Sequence, residues 1–171
     1  MLSYDIRELE EHAVHVDGRL RADDPVWQEG DALPKPYVRA SGRLSKAGSG
    51  RFYWTGRVEG EADTSCRRCL VDVRVPVQED VGVIFAADDD TEVEDDPDVF
   101  RIAARAHMLD LRPAVREQWL LGVPSFALCR EDCQGLCPAC GADRNAGDCA
   151  CEPARTDGRW DTLRALRRPS D

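Results

Sequence analysis

Eight cysteines constrain this chain more than any other feature, because they fall in four close pairs: Cys66/Cys69 as C-x2-C, Cys129/Cys133 as C-x3-C, Cys137/Cys140 as C-x2-C and Cys149/Cys151 as C-x-C. Short spacing lets two sulfurs reach one ion about 2.3 Å away, and four sulfurs make the tetrahedral set that zinc takes. Eight cysteines in 171 residues are too few for a disulfide-dense secreted scaffold and too clustered for chance in a reducing compartment. The cofactor expected is Zn2+, two ions per chain. No histidine or carboxylate stands at ligand spacing, so four sulfurs would close each site and leave no position for a water, which makes the zinc structural and not catalytic. His12, His15 and His107 read as surface or boundary residues.

Two divisions of the cysteines are open. Cys137, Cys140, Cys149 and Cys151 enclose one eight-residue loop, residues 141 to 148, short enough to close cheaply, and form one candidate site. Cys66, Cys69, Cys129 and Cys133 then form the other. The competing division joins the two C-x2-C pairs, Cys66/Cys69 and Cys137/Cys140, as a zinc ribbon. In Cys137-Pro138-Ala139-Cys140-Gly141 the glycine permits a tight turn that aims backbone amides at the thiolates. Cys66-Arg67-Arg68-Cys69 lies between predicted strands instead of opening a helix, which argues against a thioredoxin-like dithiol. C-x2-C beside C-x-C is also how zinc-gated redox chaperones hold metal, so a redox-responsive chaperone or adaptor is the alternative function.

The rest of the chain reads as α+β: an antiparallel sheet, a meander, with a few packed helices and a cysteine-rich C-terminal segment. A short strand is expected around residues 2 to 6, followed by turn signals in Asp23-Asp24-Pro25 and Glu29-Gly30-Asp31. From Tyr37, Val38, Ala40, Gly42 and Leu44 share one face; after a turn, Phe52, Trp54, Gly56, Val58, Gly60 and Ala62 do the same. Val71, Val73, Val75 and Val77, then Val81, Val83 and Phe85, continue the alternation, with Pro76 marking an edge or bulge. Asp110 is placed to cap a helix carrying Pro113, Leu111, Val115, Trp119 and Leu120, which Gly122 and Pro124 end. The whole is one domain, 1–171. Residues 1–34 form its least informative part, 35–128 the sheet and core helix, 129–151 the zinc-binding segment, and 152–171 a helix with Trp160, Leu163 and Leu166 on one face.

Charge narrows the function. The net charge is −10, and eight thiolates with two Zn2+ would take it to about −14, so strong phosphate-driven binding of naked nucleic acid is disfavoured. Eight of the eleven residues 88 to 98 are acidic, which suggests a solvated loop; Asp88, Asp89, Asp90, Asp95 and Asp96 could attract a basic partner. Arg67, Arg68, Arg164, Arg167 and Arg168 are the clusters that could touch RNA. No apolar run reaches the roughly 20 residues of a spanning helix, and the start lacks a basic and then apolar leader, so a cytosolic protein without membrane contact is expected. No paired carboxylates with a histidine, G-x-S-x-G or phosphate-binding glycine loop is present, and no enzymatic activity is expected.

An ordered set of motifs resembles the YceD family, the large ribosomal RNA subunit accumulation proteins. It comprises Cys66-Arg67-Arg68-Cys69-Leu70 after a glycine-rich strand, the acidic loop, and Asp110-Leu111 with Val115-Arg116-Glu117. It continues through Leu120-Leu121-Gly122-Val123-Pro124, Cys129, Cys133-Gln134-Gly135-Leu136-Cys137-Pro138-Ala139-Cys140-Gly141, Asn145 and the closing Arg159-Trp160, Leu163 and Leu166. The resemblance extends over roughly residues 35 to 168. It implies a role in the synthesis, processing or accumulation of large-subunit ribosomal RNA, with a ribosomal protein or a large-subunit precursor as partner and no established catalysis.

Overall fold

The computed structural model describes residues 1–93 and 98–151. The chain opens with β1 (Ser3–Asp5), α1 (Ile6–Glu11) and β2 (Val14–Arg21). Asp5 starts α1 by holding an extended backbone while its carboxylate accepts the Arg7 N–H at 2.8 Å, and Leu9 turns fully into the core. β3 (Tyr37–Lys46), β4 (Arg51–Ser65) and β5 (Asp72–Ala87) follow. After a 3-10 turn at Thr91–Val93 come β6 (Val99–Ile102), β7 (Met108–Asp110) and α2 (Arg112–Gly122).

The main sheet has the order β2-β3-β4-β5-β6, and β1 pairs with β7 in a second, two-stranded sheet. Period-two alternation sets the core face: Val38, Ala40, Leu44, Phe52, Trp54, Val58 and Ala62 are all buried, as the sequence pattern requires. The sheet begins earlier than the reading from Tyr37 allowed. β2 pairs along its whole length with β3, and Val16 and Leu20 are buried, so the N-terminal part supplies an edge strand and core.

The meander is also not wholly antiparallel. β2 to β5 are, but β6 runs parallel to β5, with Ile84 opposite Val99 and Ala87 opposite Ile102. Parallel neighbours need a crossover, and the acidic stretch from 88 to 98 supplies it. Its described start, 88–93, does pack, against the expectation that the stretch cannot, although Asp88, Asp89, Thr91 and Glu92 stay exposed to solvent as that expectation held. Asp88 donates its N–H to the Ile102 carbonyl and accepts the Ala104 N–H, both at 2.8 Å. Arg51 pairs with Asp90 at 2.6 and 3.0 Å and with Glu92 at 2.6 Å, and the Arg51 guanidinium holds Asp90 below its ordinary carboxyl range. Pro76 stands where β5 has β4 on one side and, among the described residues, no strand on the other, which is the edge its missing N–H demands.

Helix α2 lies over the sheet and buries Ala114, Val115 and Trp119. Its first residue follows Leu111, so Asp110 is not the capping position; the carboxylate instead accepts the Arg112 N–H at 2.9 Å and grips the same side chain at 2.7 Å. Trp119 donates its indole N–H to the Ala32 carbonyl at 2.6 Å, and Arg116 forks onto Asp31 at 2.6 and 2.8 Å, fastening the loop before β3 to the helix. The helix expected over 152–171, with Trp160, Leu163 and Leu166, lies outside the described residues. No helix among the described residues is long and apolar enough to cross a membrane.

Gly42 and Gly56 face each other across β3 and β4, and a Cβ on Gly56 would fall 1.9 Å from the Ser41 carbonyl oxygen and 2.8 Å from the Gly42 Cα. Both obstacles are backbone, so neither can swing aside. Gly56→Ala is expected to destabilise the domain by about 2–3 kcal/mol, read as a lower urea midpoint.

Candidate metal centres

The long β4–β5 hairpin ends in Cys66-Arg67-Arg68-Cys69, and the chain after α2 returns to that tip. Arg67 donates its N–H to the Ala127 carbonyl at 2.9 Å, which brings Cys129 and Cys133 beside Cys66 and Cys69. In this first tetrad all four sulfurs lie within 4.8 Å of one another. Cys66 and Cys133 are 3.8 Å apart, Cys69 and Cys129 3.6 Å. The second tetrad gathers Cys137, Cys140, Cys149 and Cys151 within the same limit. The ribbon division, with Cys66/Cys69 joined to Cys137/Cys140, is not the one the chain forms.

These distances test whether a metal fits. Sulfurs bonded to each other stand about 2.05 Å apart, far closer than these, and all eight thiols are free. A zinc ion about 2.3 Å from four sulfurs places them on a tetrahedron with edges of about 3.8 Å, close to the Cys66–Cys133 and Cys69–Cys129 separations of the first tetrad. The donor set is soft sulfur throughout, which suits zinc.

Each tetrad is built on one repeated turn. The Cys66 carbonyl accepts the Leu70 N–H at 2.9 Å while Cys66 donates to Val71 at 2.8 Å; the Cys137 carbonyl accepts the Gly141 N–H at 2.8 Å while Cys137 donates to Ala142 at 2.8 Å. The turn points amides inward at the first cysteine. The Cys69 N–H lowers Cys66 to about 6, and the N–H groups of Cys140 and Ala139 lower Cys137 to about 6. These amides favour the thiolate form of the first cysteine in each set. Loss of water and hydrogen sharing with Cys133, Cys69 and Cys66 push Cys129 up to about 12, and Cys151 rises to about 12 through Cys140 and Cys137. Four thiolates in contact need a cation.

Two modules interlock between the tetrads. The Arg68 carbonyl accepts the Leu136 N–H at 3.0 Å, and its guanidinium donates to the carbonyls of Cys133 and Glu131 at 2.9 and 3.1 Å. Gly135, at φ 69°, passes so close that a Cβ would sit 2.8 Å from the Arg68 oxygen. Arg68, one of the candidate RNA contacts, is thus engaged in holding the first tetrad together. Arg67 is exposed, with its guanidinium 4.0 Å over the ring of Phe126. Arg164, Arg167 and Arg168 lie outside the described residues.

Of the acidic candidates, Asp88 and Asp90 serve the crossover, Asp89 is exposed, and Asp95 and Asp96 lie outside the described residues. His12, His15 and His107 are exposed and belong to neither tetrad. Asn145, whose sequence carried no assigned role, reaches from the loop of the second tetrad to Cys133 of the first at 3.6 Å. An asparagine in a polar loop gives no sequence signal for such a contact, because the two partners meet only when both tetrads are formed.

Residues 54–167 match the family described as large ribosomal RNA subunit accumulation protein YceD. Uncharacterized proteins of Mycobacterium tuberculosis and Mycobacterium bovis are 35% identical over 117 residues, 64% of this chain and 52% of theirs. The chloroplastic large ribosomal RNA subunit accumulation protein YCED homolog 1 of Zea mays is 31% identical over 175 aligned residues, 83% of this chain and 59% of that protein. The chain spans a little over half the length of these curated relatives. No solved structure matches it.

Leu70 occupies the turn position that Gly141 fills in the second tetrad, at φ 63° against 74°, with its side chain 63% exposed. A left-handed backbone costs a non-glycine residue about 1–2 kcal/mol, and the greater freedom of unfolded glycine offsets about 0.5–1 kcal/mol of that. Leu70→Gly is therefore expected to stabilise the first turn by about 0.5–1 kcal/mol, seen as a higher midpoint for unfolding.

Proposed function

Because the chain belongs to the YceD family of large ribosomal RNA subunit accumulation proteins, we propose that it supports accumulation of large-subunit ribosomal RNA as a non-enzymatic assembly factor, its two sulfur tetrads holding structural zinc. The observation that carries the metal part is the 3.6–3.8 Å spacing of sulfurs drawn from two distant stretches of chain. Cys66, Cys69, Cys129 and Cys133 would hold one ion and Cys137, Cys140, Cys149 and Cys151 the other. A four-sulfur shell has no open position, so the ions would act as crosslinks: the first fastens the segment 129–151 to the hairpin tip, and the second closes the loop 141–148.

The partner proposed is a basic ribosomal protein on a large-subunit precursor, not naked RNA. Net charge of −10 repels phosphate at long range, and although Arg67 and Arg68 are both exposed, the Arg68 guanidinium is already engaged by the Cys133 and Glu131 carbonyls. Attraction would run through Asp89 together with Asp95 and Asp96. Exposure of Cys129, Cys140 and Cys151 favours a second reading, a zinc-gated redox chaperone, since exposed ligand sulfurs are open to oxidant.

Protein purified without chelator is expected to contain two zinc ions by elemental analysis, and Cys149→Ser to remove one while the sheet stays folded. A value of zero would end the zinc reading. The reduced, loaded form is expected to cosediment with large-subunit precursors, and its depletion to lower large-subunit RNA. If only the oxidised form bound clients, and bound unfolded proteins indiscriminately, the chaperone reading would replace the assembly factor.

A further inference from the structure

Asn145 belongs by sequence to the loop between Cys140 and Cys149, yet its side chain serves the other tetrad. Its Oδ1 accepts the Gln134 N–H at 2.8 Å and an Arg130 guanidinium N–H at 2.9 Å. Its Nδ2 donates to the Asp143 carboxylate at 2.6 Å and to the Cys133 sulfur at 3.6 Å. This orientation of the amide is the one its neighbours permit: two donors require the oxygen on their side, and a carboxylate requires the nitrogen on the other. The group facing Cys133 is therefore an N–H, the kind of outer contact that steadies a metal-bound thiolate by drawing off part of its charge.

What holds Asn145 there is the loop of the second tetrad. The loop is tied at both ends by sulfurs of that tetrad, Cys140 before it and Cys149 after it, and within it the Arg144 N–H reaches the Gly135 carbonyl at 3.0 Å. Asp143 accepts the Asn145 N–H at 2.9 Å, setting the side chain on its line to Cys133. An ion in the second tetrad would close this loop; without it, the placement of Asn145 rests on hydrogen bonds alone, those to Gln134, Arg130 and Asp143 and those of the loop backbone to Gly135 and Cys137.

We propose that Asn145 couples the two metal sites, so that zinc in the Cys137/Cys140/Cys149/Cys151 site tightens zinc in the Cys66/Cys69/Cys129/Cys133 site through the Asn145 hydrogen bond to Cys133. This inference rests on the reading that both tetrads hold zinc. Asn145 is a positioning residue, since it touches a ligand and not the ion. Linkage makes the effect mutual: whatever factor the second site confers on the first, the first confers on the second.

The test follows alkylation of Cys133 in the full chain by mass spectrometry while a chelator sets the free zinc, and reads the zinc level at which Cys133 becomes protected. Asn145→Ala is expected to raise that level about tenfold, the lower end of outer-contact effects on metal affinity. Emptying the second site with Cys149→Ser and Cys151→Ser is expected to raise it by a similar factor, and all three substitutions together by no more than either change alone. A second variant separates donation to sulfur from simple support of the loop. Asn145→Asp combined with Asp143→Asn keeps an acceptor for Gln134 and Arg130 and a donor-acceptor pair between 143 and 145, but turns an oxygen toward Cys133. Its protection level is expected to rise at least as far as that of Asn145→Ala.

A wild-type level in the swapped variant would overturn the coupling, and so would an equal effect of emptying the second site with and without Asn145. In both cases the wild-type protein still protects Cys133 and carries two ions, so the zinc reading survives. Failure of zinc to protect Cys133 in the wild type at any level would overturn the zinc reading and the coupling with it.

Discussion

Eight cysteines gather into two sets of four whose sulfurs lie within 4.8 Å of one another, a spacing at which four thiolates could stand together only around a cation, and segment 129–151 is arranged around these two sets. Segment 129–151 contains little that could fold alone. Among its described residues it has no helix or strand, and its buried side chains are Cys133 and Cys137, with Leu136 half-buried. With so little apolar surface to bury, its order rests on hydrogen bonds and on the gathering of its sulfurs, which a bound metal would lock. The first tetrad attaches it to the tip of the β4–β5 hairpin, and the Arg68, Gly135 and Asn145 contacts stack the second tetrad on the first.

The sheet provides the rigid arm that this attachment needs. β4 and β5 stay paired from Arg51 opposite Ala86 to Ser65 opposite Asp72, so Cys66 and Cys69 are held well beyond the core, with Cys66 itself fully buried. At the other end of the same hairpin the Arg51 ion pairs fold the start of the acidic crossover back onto the sheet. Acidic residues there have a structural duty as well as a charge. A partner attracted to this end would meet Asp89 ahead of Asp90, whose carboxylate is 16% exposed and already paired.

The clustering of the cysteines was open to reading from the chain alone, since C-x2-C and C-x-C spacings bring two sulfurs within reach of one point whatever the surrounding fold. The alternating faces of β3, β4 and β5 were equally readable, because period two is a local property of a half-buried strand. Val14, Val16, Gly18 and Leu20 alternate just as well, but a charged or polar residue between each pair and the turn signals after them masked an edge strand. The helix at Leu9 gave less to read: six residues hold only one buried position.

Long-range geometry decided the rest. Spacing permits either division of the cysteines; the choice follows from α2 delivering the chain to the hairpin tip, where the Ala127 carbonyl meets the Arg67 N–H. A parallel β6 cannot be inferred from an acidic run, because the same residues serve a solvated loop or a crossover according to where Arg51 lies. The roles of Leu70, Arg68 and Asn145 likewise depend on backbone conformation and on partners 65 or 12 residues away in the chain, at Cys133 in both cases. Local pattern specifies which residues want metal or core, whereas the assignment of one particular sulfur to one particular neighbour is a property of the closed tertiary structure.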